Sequence, residues 1–297
     1  MQKPEIKKSM LSTVLPRLAS LAKRGLAGWL VVFGAILTAA IIVMTAVSPW
    51  ISPHDPSMIN VGPILSPPNS QFPLGTDHLG RDMLSRIISG GGVMLQVAFL
   101  SVLICLMIGV PLGLFSSYTG GLVDRFFSLI MDSVYAFPGL ILAVAIAAVL
   151  GRGVINMSLS IAVVYIPSYF RVIRSQVLSI KEMPYVEAAN ASGARQRTVL
   201  SRYILPNVLP SIVIVATVNF PDAILTAAAL TFLGLGGSVS VPDWGWDLYN
   251  GRNLLPSGHW WVIAFPGLMI ILLALGFTLM GEGLSELLNP RLEQGGK

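Results

Sequence analysis

Long uncharged runs separated by short polar segments dominate the pattern of hydrophobic and polar positions in this chain. The first run covers 29–47, and its 19 residues would form a helix of roughly 28 Å, close to the ~30 Å hydrocarbon core of a bilayer. Five more apolar runs follow, at about 92–116, 127–150, 154–170, 208–234 and 260–281. The pattern predicts an all-α polytopic membrane protein with about six transmembrane helices.

The first run has a competing interpretation as a cleaved signal peptide. It is longer than a usual signal core, and Ser48-Pro49-Trp50 provides no small-residue cleavage pattern, so we predict an uncleaved first helix. After it, the seven prolines of 48–91 predict an extended, non-helical segment.

These segments divide the chain into four parts. We predict a basic N-terminal arm over 1–27, and a first transmembrane helix with its Pro-rich extracytoplasmic segment over 28–91. A membrane core over 92–282 includes a polar loop over 171–206, and a tail over 283–297 ends the chain.

Several residue types inside the core predict kinked, closely packed helices. Five prolines interrupt the spans, and each removes one backbone donor, so neighbouring helices must satisfy the freed groups around a packed interior. They are Pro111, Pro138, Pro167, Pro221 and Pro266. Gly109 and Gly113, four residues apart, would allow close helix contact. Four tryptophans lie near the predicted outer end of the last span, namely Trp244, Trp246, Trp260 and Trp261. We expect them to form an interfacial aromatic belt.

The distribution of positive charge predicts the topology. Fifteen of the 19 lysines and arginines lie in the arm, the loop around Asp124-Arg125, the 171–206 loop and the tail, and four lie in the alternate loops. Because positive residues accumulate on the inner side of a membrane, we predict a cell-membrane protein with both termini and the 171–206 loop in the cytoplasm.

Composition excludes several classes of protein. Only 11% of the residues are charged, against about 25% in a soluble domain, so most of the surface must face lipid. The net charge of +5 does not indicate nucleic-acid binding, because no aromatic residues alternate with the basic clusters. The single cysteine, Cys105, excludes an intrachain disulfide and a cysteine metal site.

No motif in the chain indicates catalysis. It has no phosphate-binding loop and no His-Glu-x-x-His, and its three histidines are scattered over predicted external loops. We therefore predict no catalytic residue, no metal site and no cofactor bound by this chain. An intramembrane enzyme would also need a nucleophile, and none stands out.

Two carboxylates fall within the predicted spans. An ionised Asp at the centre of a membrane helix costs roughly 2.5–3.5 kcal/mol, so Asp132 and Asp222 are candidates for lining a translocation path or relaying protons. Asp132 has a competing structural interpretation, because it lies close enough to the cytoplasmic end to reach water. For Asp222 both interpretations stay open, and the pair makes a proton-coupled secondary transporter the alternative function.

The 171–206 loop has the pattern of a helix–turn–helix. Pro184 suits the first turn of a short helix, and Glu187 lies favourably near its positive end. Gly193 suits the left-handed position that ends such a helix, and a second short helix would lead to Pro206. Such short helices need a surface to pack on, which is either another protein or the lipid headgroups.

Two stretches of this chain resemble a known family. Glu187-Ala188-Ala189, Gly193 and Leu205-Pro206 resemble the coupling-loop signature of ATP-binding-cassette importer permeases. Pro73 to Asp82, with Gly75, Thr76, Asp77, Gly80, Arg81 and Asp82, resembles the hallmark of dipeptide/oligopeptide/nickel-type permeases, in particular the second permease of each pair. Ala136 to Gly139 and Phe232 to Gly236 fit the same subfamily.

The resemblance implies a MetI-like bundle that imports peptides or similar small solutes. It implies a heterodimer with a homologous second permease, two cytoplasmic ATPase subunits that bind ATP and Mg, and an extracytoplasmic solute-binding protein. The Glu187–Gly193 helix would insert into a cleft of the ATPase.

Three positions depart from the pattern of that subfamily. Tyr203 and Ala227 replace residues expected to be His and Glu, and Pro221-Asp222 replaces a small, uncharged stretch. The cargo therefore stays open between dipeptide, longer peptide, oligosaccharide and nickel chelate. In the external hallmark, we expect Asp77 or Thr76 to cap the helix that enters the second span and Asp82 to lie in the first turn of that helix. We expect the hallmark to fold the external loop or to contact the binding protein, and binding of solute is the less favoured alternative.

Overall fold

The computed structural model describes residues 25–236 and 241–287. Most of the predicted arm, at 1–24, and most of the tail, at 288–297, lie outside the described residues. Within the described part, the chain is almost entirely helical, with one isolated β-bridge between Thr76 and Asp82. In chain order the α-helices are α1 Leu26–Ala46, α2 Ser48–Ile51, α3 Met83–Ser89, α4 Gly91–Thr119, α5 Gly121–Tyr135, α6 Gly139–Leu150, α7 Val154–Lys181, α8 Pro184–Ala191, α9 Gln196–Thr198, α10 Leu205–Phe232, α11 Trp244–Gly251 and α12 Trp261–Leu287.

Five helical stretches among the described residues are long and apolar enough to cross a membrane. They are α1, α3 with α4, α7, α9 with α10, and α12. The bent pair of α5 and α6 makes a sixth when it is counted as one span. The prediction of an all-α protein with about six spans is confirmed.

The third predicted span, 127–150, is a bent pair of helices, and the interruption predicted at Pro138 is a complete break between α5 and α6. Helix α5 ends at Tyr135, α6 begins at Gly139, and the two axes differ by 90°. Pro138 lies in the break with an extended ψ of 117°. A proline has no N–H to continue the helix and disfavours helical geometry in the preceding residue, so the chain turns here.

The predicted cytoplasmic loop 171–206 is largely helical and continuous with its neighbours. Helix α7 runs ten residues or more past the predicted end of the fourth span, to Lys181. The predicted second short helix is also not separate, because a π-helical segment, Val199–Ile204, joins α9 to α10. Pro206 cannot donate to the carbonyl of Arg202 in an α-helix, and a local π-turn accommodates this loss without breaking the helix.

Glycines set the closest helix contacts. A Cβ on Gly109 would lie 2.8 Å from Cβ of Tyr169, and one on Gly113 would lie 3.0 Å from Cβ of Ile173. The pair therefore brings α4 against α7, as its spacing indicated. A second contact, between α1 and α12, was not predicted: a Cβ on Gly34 would lie 2.5 Å from the carbonyl oxygen of Gly276.

The segment between α1 and α4 contains two short helices, so the prediction of a wholly non-helical 48–91 was wrong at both ends. Between α2 and α3 the chain is irregular, as its prolines predicted. Arg86 of α3 is completely buried and donates through Nε and Nη2 to Oδ1 of Asp247 in α11, at 2.9 and 2.6 Å. This ion pair joins two segments that are 161 residues apart.

The predicted aromatic belt is wrong for three of its four tryptophans. Trp244, Trp246 and Trp261 are buried within the chain, and only Trp260 is exposed, at 51%. The Nε1 of Trp244 donates to the carbonyl of Ile87, and that of Trp261 donates to the carbonyl of Thr76, at 2.9 and 3.0 Å. These side chains join α11 and the start of α12 to the segment between α1 and α4, which their position in the sequence did not reveal.

Candidate coupling site and membrane carboxylates

The predicted coupling helix is formed as α8, and its start follows the sequence signals. Pro184 lies in the first turn, where its missing N–H has no helical partner to lose. Glu187 also lies in the first turn, next to the positive end of the helix dipole. The amides of Val186 and Glu187 both donate to the carbonyl of Met183, at 2.9 and 3.2 Å.

The end of α8 is a complete Schellman motif. Gly193 has a φ of +76°, and no atom lies within 4 Å of the position that its Cβ would occupy. Its amide donates to the carbonyl of Asn190, while the amide of Ala194 donates to that of Ala189, at 3.0 and 3.1 Å. These are the two hydrogen bonds that define the motif, so Gly193 ends the helix for conformational reasons and not because of crowding.

One face of α8 is buried and the other is free. Val186 and Ala189 are both buried, and Val186 belongs to a cluster that also contains Ile180 of α7 and Val199 of the π-segment. Glu187 and Ala188 are exposed on the other face. The helix is therefore fixed to the bundle through one side, and the side that contains the Glu-Ala pair is exposed.

One polar contact joins α8 itself to α4, and a second joins the end of α7 to α4. The hydroxyl of Tyr118 in α4 donates to Oδ1 of Asn190 at 3.1 Å, and Nζ of Lys181 donates to the carbonyl of Ser117 at 3.3 Å. A lysine at the carbonyl end of a helix also interacts favourably with the helix dipole. As a result α8 contacts α4 as well as α7.

Leu205 and Pro206 lie where α10 leaves the π-segment. Leu205 is half-buried, and Pro206 is exposed within the first turn of α10. The π-segment packs against α8. The second half of the signature thus joins α8 mechanically to the start of the fifth span.

Asp132 lies in α5 and forms an ion pair with Arg171 of α7. Nη2 of Arg171 is 2.7 Å from Oδ1 of Asp132, and its guanidinium lies 4.0 Å from the ring centroid of Tyr135. The Asp132 and Arg171 side chains are 62% and 42% exposed. Sequence reasoning had placed Arg171 in a loop, and for that reason it missed this partner.

A second ion pair between the same helices was also missed. Arg174 donates through Nε and Nη2 to Oδ1 and Oδ2 of Asp124, at 2.8 and 2.6 Å, and Ser116 donates to Oδ1 at 3.1 Å. An open cleft of about 740 Å³ lies beside both carboxylates. Its lining consists of Gly121, Asp124, Arg125, Ser128, Leu129, Asp132, Ser133 and Arg174.

Asp222 differs from both, because it forms no ion pair with any other described residue. Its side chain is exposed on α10, 17 residues after the start of that helix. The structure therefore separates the two predicted carboxylates, one paired with arginine and the other unpaired on a different helix.

The external hallmark is a tightly hydrogen-bonded turn. Oδ1 of Asp77 accepts from the amides of Leu79 and Arg81, and its Oδ2 accepts from Nε of Arg81 at 2.6 Å. Gly75 and Gly80 have φ of +76° and +66°, and a Cβ on either would lie within 2.6 Å of a backbone oxygen. This motif folds the irregular segment between α2 and α3.

The capping roles within the hallmark differ from the prediction. Asp82 is the N-cap of α3 and accepts from the amides of Leu84 and Ser85, at 3.3 and 3.2 Å. Thr76 instead accepts from the amide of Ser66 and donates to the carbonyl of Pro63. The prediction that Asp77 or Thr76 caps the helix was wrong, because α3 begins at Met83, directly after Asp82.

Comparisons with known proteins agree on one kind of molecule. Residues 109–294 match the family model described as binding-protein-dependent transport system inner membrane component. The chain is 39% identical to the probable D,D-dipeptide transport system permease protein DdpC of Escherichia coli K12, over 90% of this chain and 89% of that protein. It is 40% identical to the di/tripeptide transport system permease protein DppC of Pseudomonas aeruginosa UCBPP-PA14, over 88% of each chain.

A solved structure supports the fold. A chain from the inward-facing MetNI methionine ABC transporter superposes with a TM-score of 0.56 and 19% identity, over 70% of this chain and 98% of that chain. At this identity the likeness concerns the fold alone, which is the MetI-like bundle that the sequence predicted.

Proposed function

The chain belongs to the family of binding-protein-dependent transport system inner membrane components and is a permease subunit of an ATP-binding-cassette importer, and from this premise we propose that it carries di- or tripeptides into the cell. The cargo follows from two relatives of nearly 40% identity over about nine-tenths of the chain, whose names specify D,D-dipeptides and di- or tripeptides. The names of these two relatives do not include longer peptides, oligosaccharides or nickel chelates.

The attachment of α8 to the bundle through one face is the observation that supports the proposed mechanism. A separate ATPase docks on the exposed face around Glu187 and Ala188, with ATP and Mg bound by that subunit and not by this chain. The buried face, around Val186, transmits its movement to the cluster shared by α7 and the π-segment. A short helix held only by lipid would not need such a rigid attachment, which favours the protein-docking interpretation over the headgroup interpretation.

The full transporter contains more chains than this one. We infer a homologous second permease as heterodimer partner, two cytoplasmic ATPase subunits and an extracytoplasmic solute-binding protein. The termini and α8 then lie on the cytoplasmic side of the cell membrane, and the hallmark segment faces the binding protein.

Of the two membrane carboxylates, Asp222 is the better candidate for the translocation path, because Asp132 already has Arg171 as a partner. The proton-coupled alternative finds no support in the comparisons. That alternative also requires both Asp132 and Asp222 to be available for relaying protons, whereas Asp132 forms an ion pair with Arg171.

The test replaces Gly193 by Trp in the assembled transporter. The substitution places an L-residue in a left-handed conformation, at a cost of about 1–2 kcal/mol, and adds a large side chain on the side where the ATPase docks. We expect loss of ATPase co-purification, or loss of ATP-driven peptide uptake with the ATPase still bound.

Gly151 provides a matched control, since it also has a positive φ, +82°, and no neighbours around its Cβ position. It lies beyond the opposite end of α7, roughly 40 Å from α8 along that 28-residue helix. Gly151→Trp should retain coupling. Unchanged ATPase binding and uptake in Gly193→Trp would show that α8 is not the coupling element.

A further inference from the structure

One face of α10 is left uncovered by the rest of the chain. The large apolar side chains of this face with more than a third of their surface exposed are Val218, Leu225 and Phe232. Asp222 lies on the same side, four residues after Val218 and three before Leu225. Residues three and four apart share a face of a helix, so a single carboxylate interrupts an otherwise apolar stripe.

The position of Asp222 along the helix places this carboxylate at membrane depth. It lies 17 residues from the start of α10 and ten from its end, which corresponds to roughly 25 Å and 15 Å. An ionised carboxylate that faced lipid at this depth would be strongly unfavourable. The stripe must therefore face protein or a water-filled path at the level of Asp222.

The surroundings of Asp222 suit a positively charged group. No described Lys, Arg or His lies within ion-pair distance of it, whereas Asp124 and Asp132 each have an arginine. One turn further along the same face is Thr226, whose hydroxyl is 3.0 Å from the hydroxyl of Tyr165 in α7. Thr226 and Tyr165 are only half-buried.

A carboxylate with two hydroxyls one helical turn away offers only oxygen atoms as acceptors. An ammonium group has three N–H donors and no acceptor, so its hydrogen-bonding needs match this set. A carboxylate or phosphate would be repelled by Asp222. Peptides supply an ammonium group at the amino terminus, and a second one when they contain lysine.

We propose that Asp222, with Thr226 and Tyr165, forms a cation subsite in the translocation path that receives the ammonium groups of the cargo. The subsite makes the permease favour positively charged peptides over negatively charged ones during translocation. This inference rests on the proposed function, because it takes a peptide as the cargo.

The test uses the assembled transporter in proteoliposomes with its binding protein. Uptake of lysyl-alanine and glutamyl-alanine is measured at concentrations that saturate the binding protein, as determined on the isolated binding protein. Since the binding protein is a separate chain and stays the same throughout, a change in the uptake ratio reports on the permease alone. The variants are Asp222→Asn, Asp222→Glu and the control Glu286→Gln, which removes a negative charge from the exposed last turn of α12.

We expect Asp222→Asn to lower the lysyl-alanine to glutamyl-alanine ratio about tenfold, near the lower end of the contribution of a charge-assisted hydrogen bond. Asp222→Glu and Glu286→Gln should keep the ratio of the unchanged protein. Peptide uptake with an unchanged ratio in Asp222→Asn would overturn the subsite while leaving the proposed function intact. Loss of the second permease from the purified Asp222→Asn transporter would assign Asp222 to a subunit contact and would also overturn the subsite. Absence of any dipeptide uptake by the unchanged transporter would instead refute the proposed function.

Discussion

The buried ion pair between Arg86 and Asp247 allows a quantitative test of what holds α3 and α11 together. Its side chains are 0% and 3% exposed, and Nη1 of Arg86 also donates to the carbonyl of Pro56 at 2.9 Å. Arg86→Met would leave the Asp247 carboxylate buried without its cation. Breaking such a pair from one side typically costs about 3–5 kcal/mol, because the remaining charge loses its compensation.

The double variant Arg86→Met/Asp247→Leu should recover most of that loss. Replacing both partners of a buried pair by apolar side chains is often close to neutral. A residual loss of about 1 kcal/mol remains, because the carbonyl of Pro56 loses its donor. The predicted order of stability is therefore the unchanged protein, the double variant a little below it, and the single variant far below both.

The measurement is thermal unfolding of the purified full-length protein in detergent, followed by tryptophan fluorescence. For a chain of this size, a loss of about 3–5 kcal/mol corresponds to a Tm lower by roughly 10 °C. The exposed pair of Arg171 with Asp132 provides an internal control, because Arg171→Met should cost no more than about 1 kcal/mol. Equal Tm values for Arg86→Met and Arg171→Met, or a double variant as unstable as Arg86→Met, would refute the reasoning.

Three further predictions concern packing, pH and a buried hydrogen bond. Gly109→Ala should lower the Tm because its Cβ would meet Tyr169 at 2.8 Å, whereas Gly92→Ala, whose nearest contact is 3.7 Å, should be neutral or stabilising. Burial raises the pKa of Asp243 to about 6, so between pH ~4 and ~6 the folded protein binds more protons than the unfolded chain. The free energy of unfolding should therefore fall by about 1 kcal/mol from pH 5 to pH 7. Asp243→Asn should abolish this component of the pH-dependence of Tm. Trp244→Phe should cost about 1–3 kcal/mol in chemical unfolding, because it leaves the carbonyl of Ile87 without its donor.

The number of spans and the local shape of α8 could be predicted from the sequence because both depend on neighbouring residues. A run of about 20 apolar residues has the length of a membrane helix wherever it packs. Pro184 and Gly193 act on the backbone at their own positions, which explains why the start and end of α8 were correct.

The errors share a different cause, which is that polar or aromatic side chains found partners far away in the sequence. Arg171 and Arg174 indicated a loop, but their aspartate partners in α5 allow α7 to continue through that position. Trp244 and Trp261 suggested a membrane interface, but each donates to a carbonyl more than 150 residues away. No local pattern encodes such partners, so these features could not be derived without the fold.

One continuous helix connects two exposed sites of this chain. Glu187 and Ala188 are exposed on α8 at one end, and nearer the other Asp222 forms no ion pair with any residue that the structure describes. Between them the chain from Gln196 to Phe232 has no intervening loop, since the π-segment keeps α9 and α10 in one stretch and packs against α8. If the ATPase moves α8, α10 must move with it, and the surroundings of Asp222 then change with the nucleotide state without any contact between the nucleotide and the cargo.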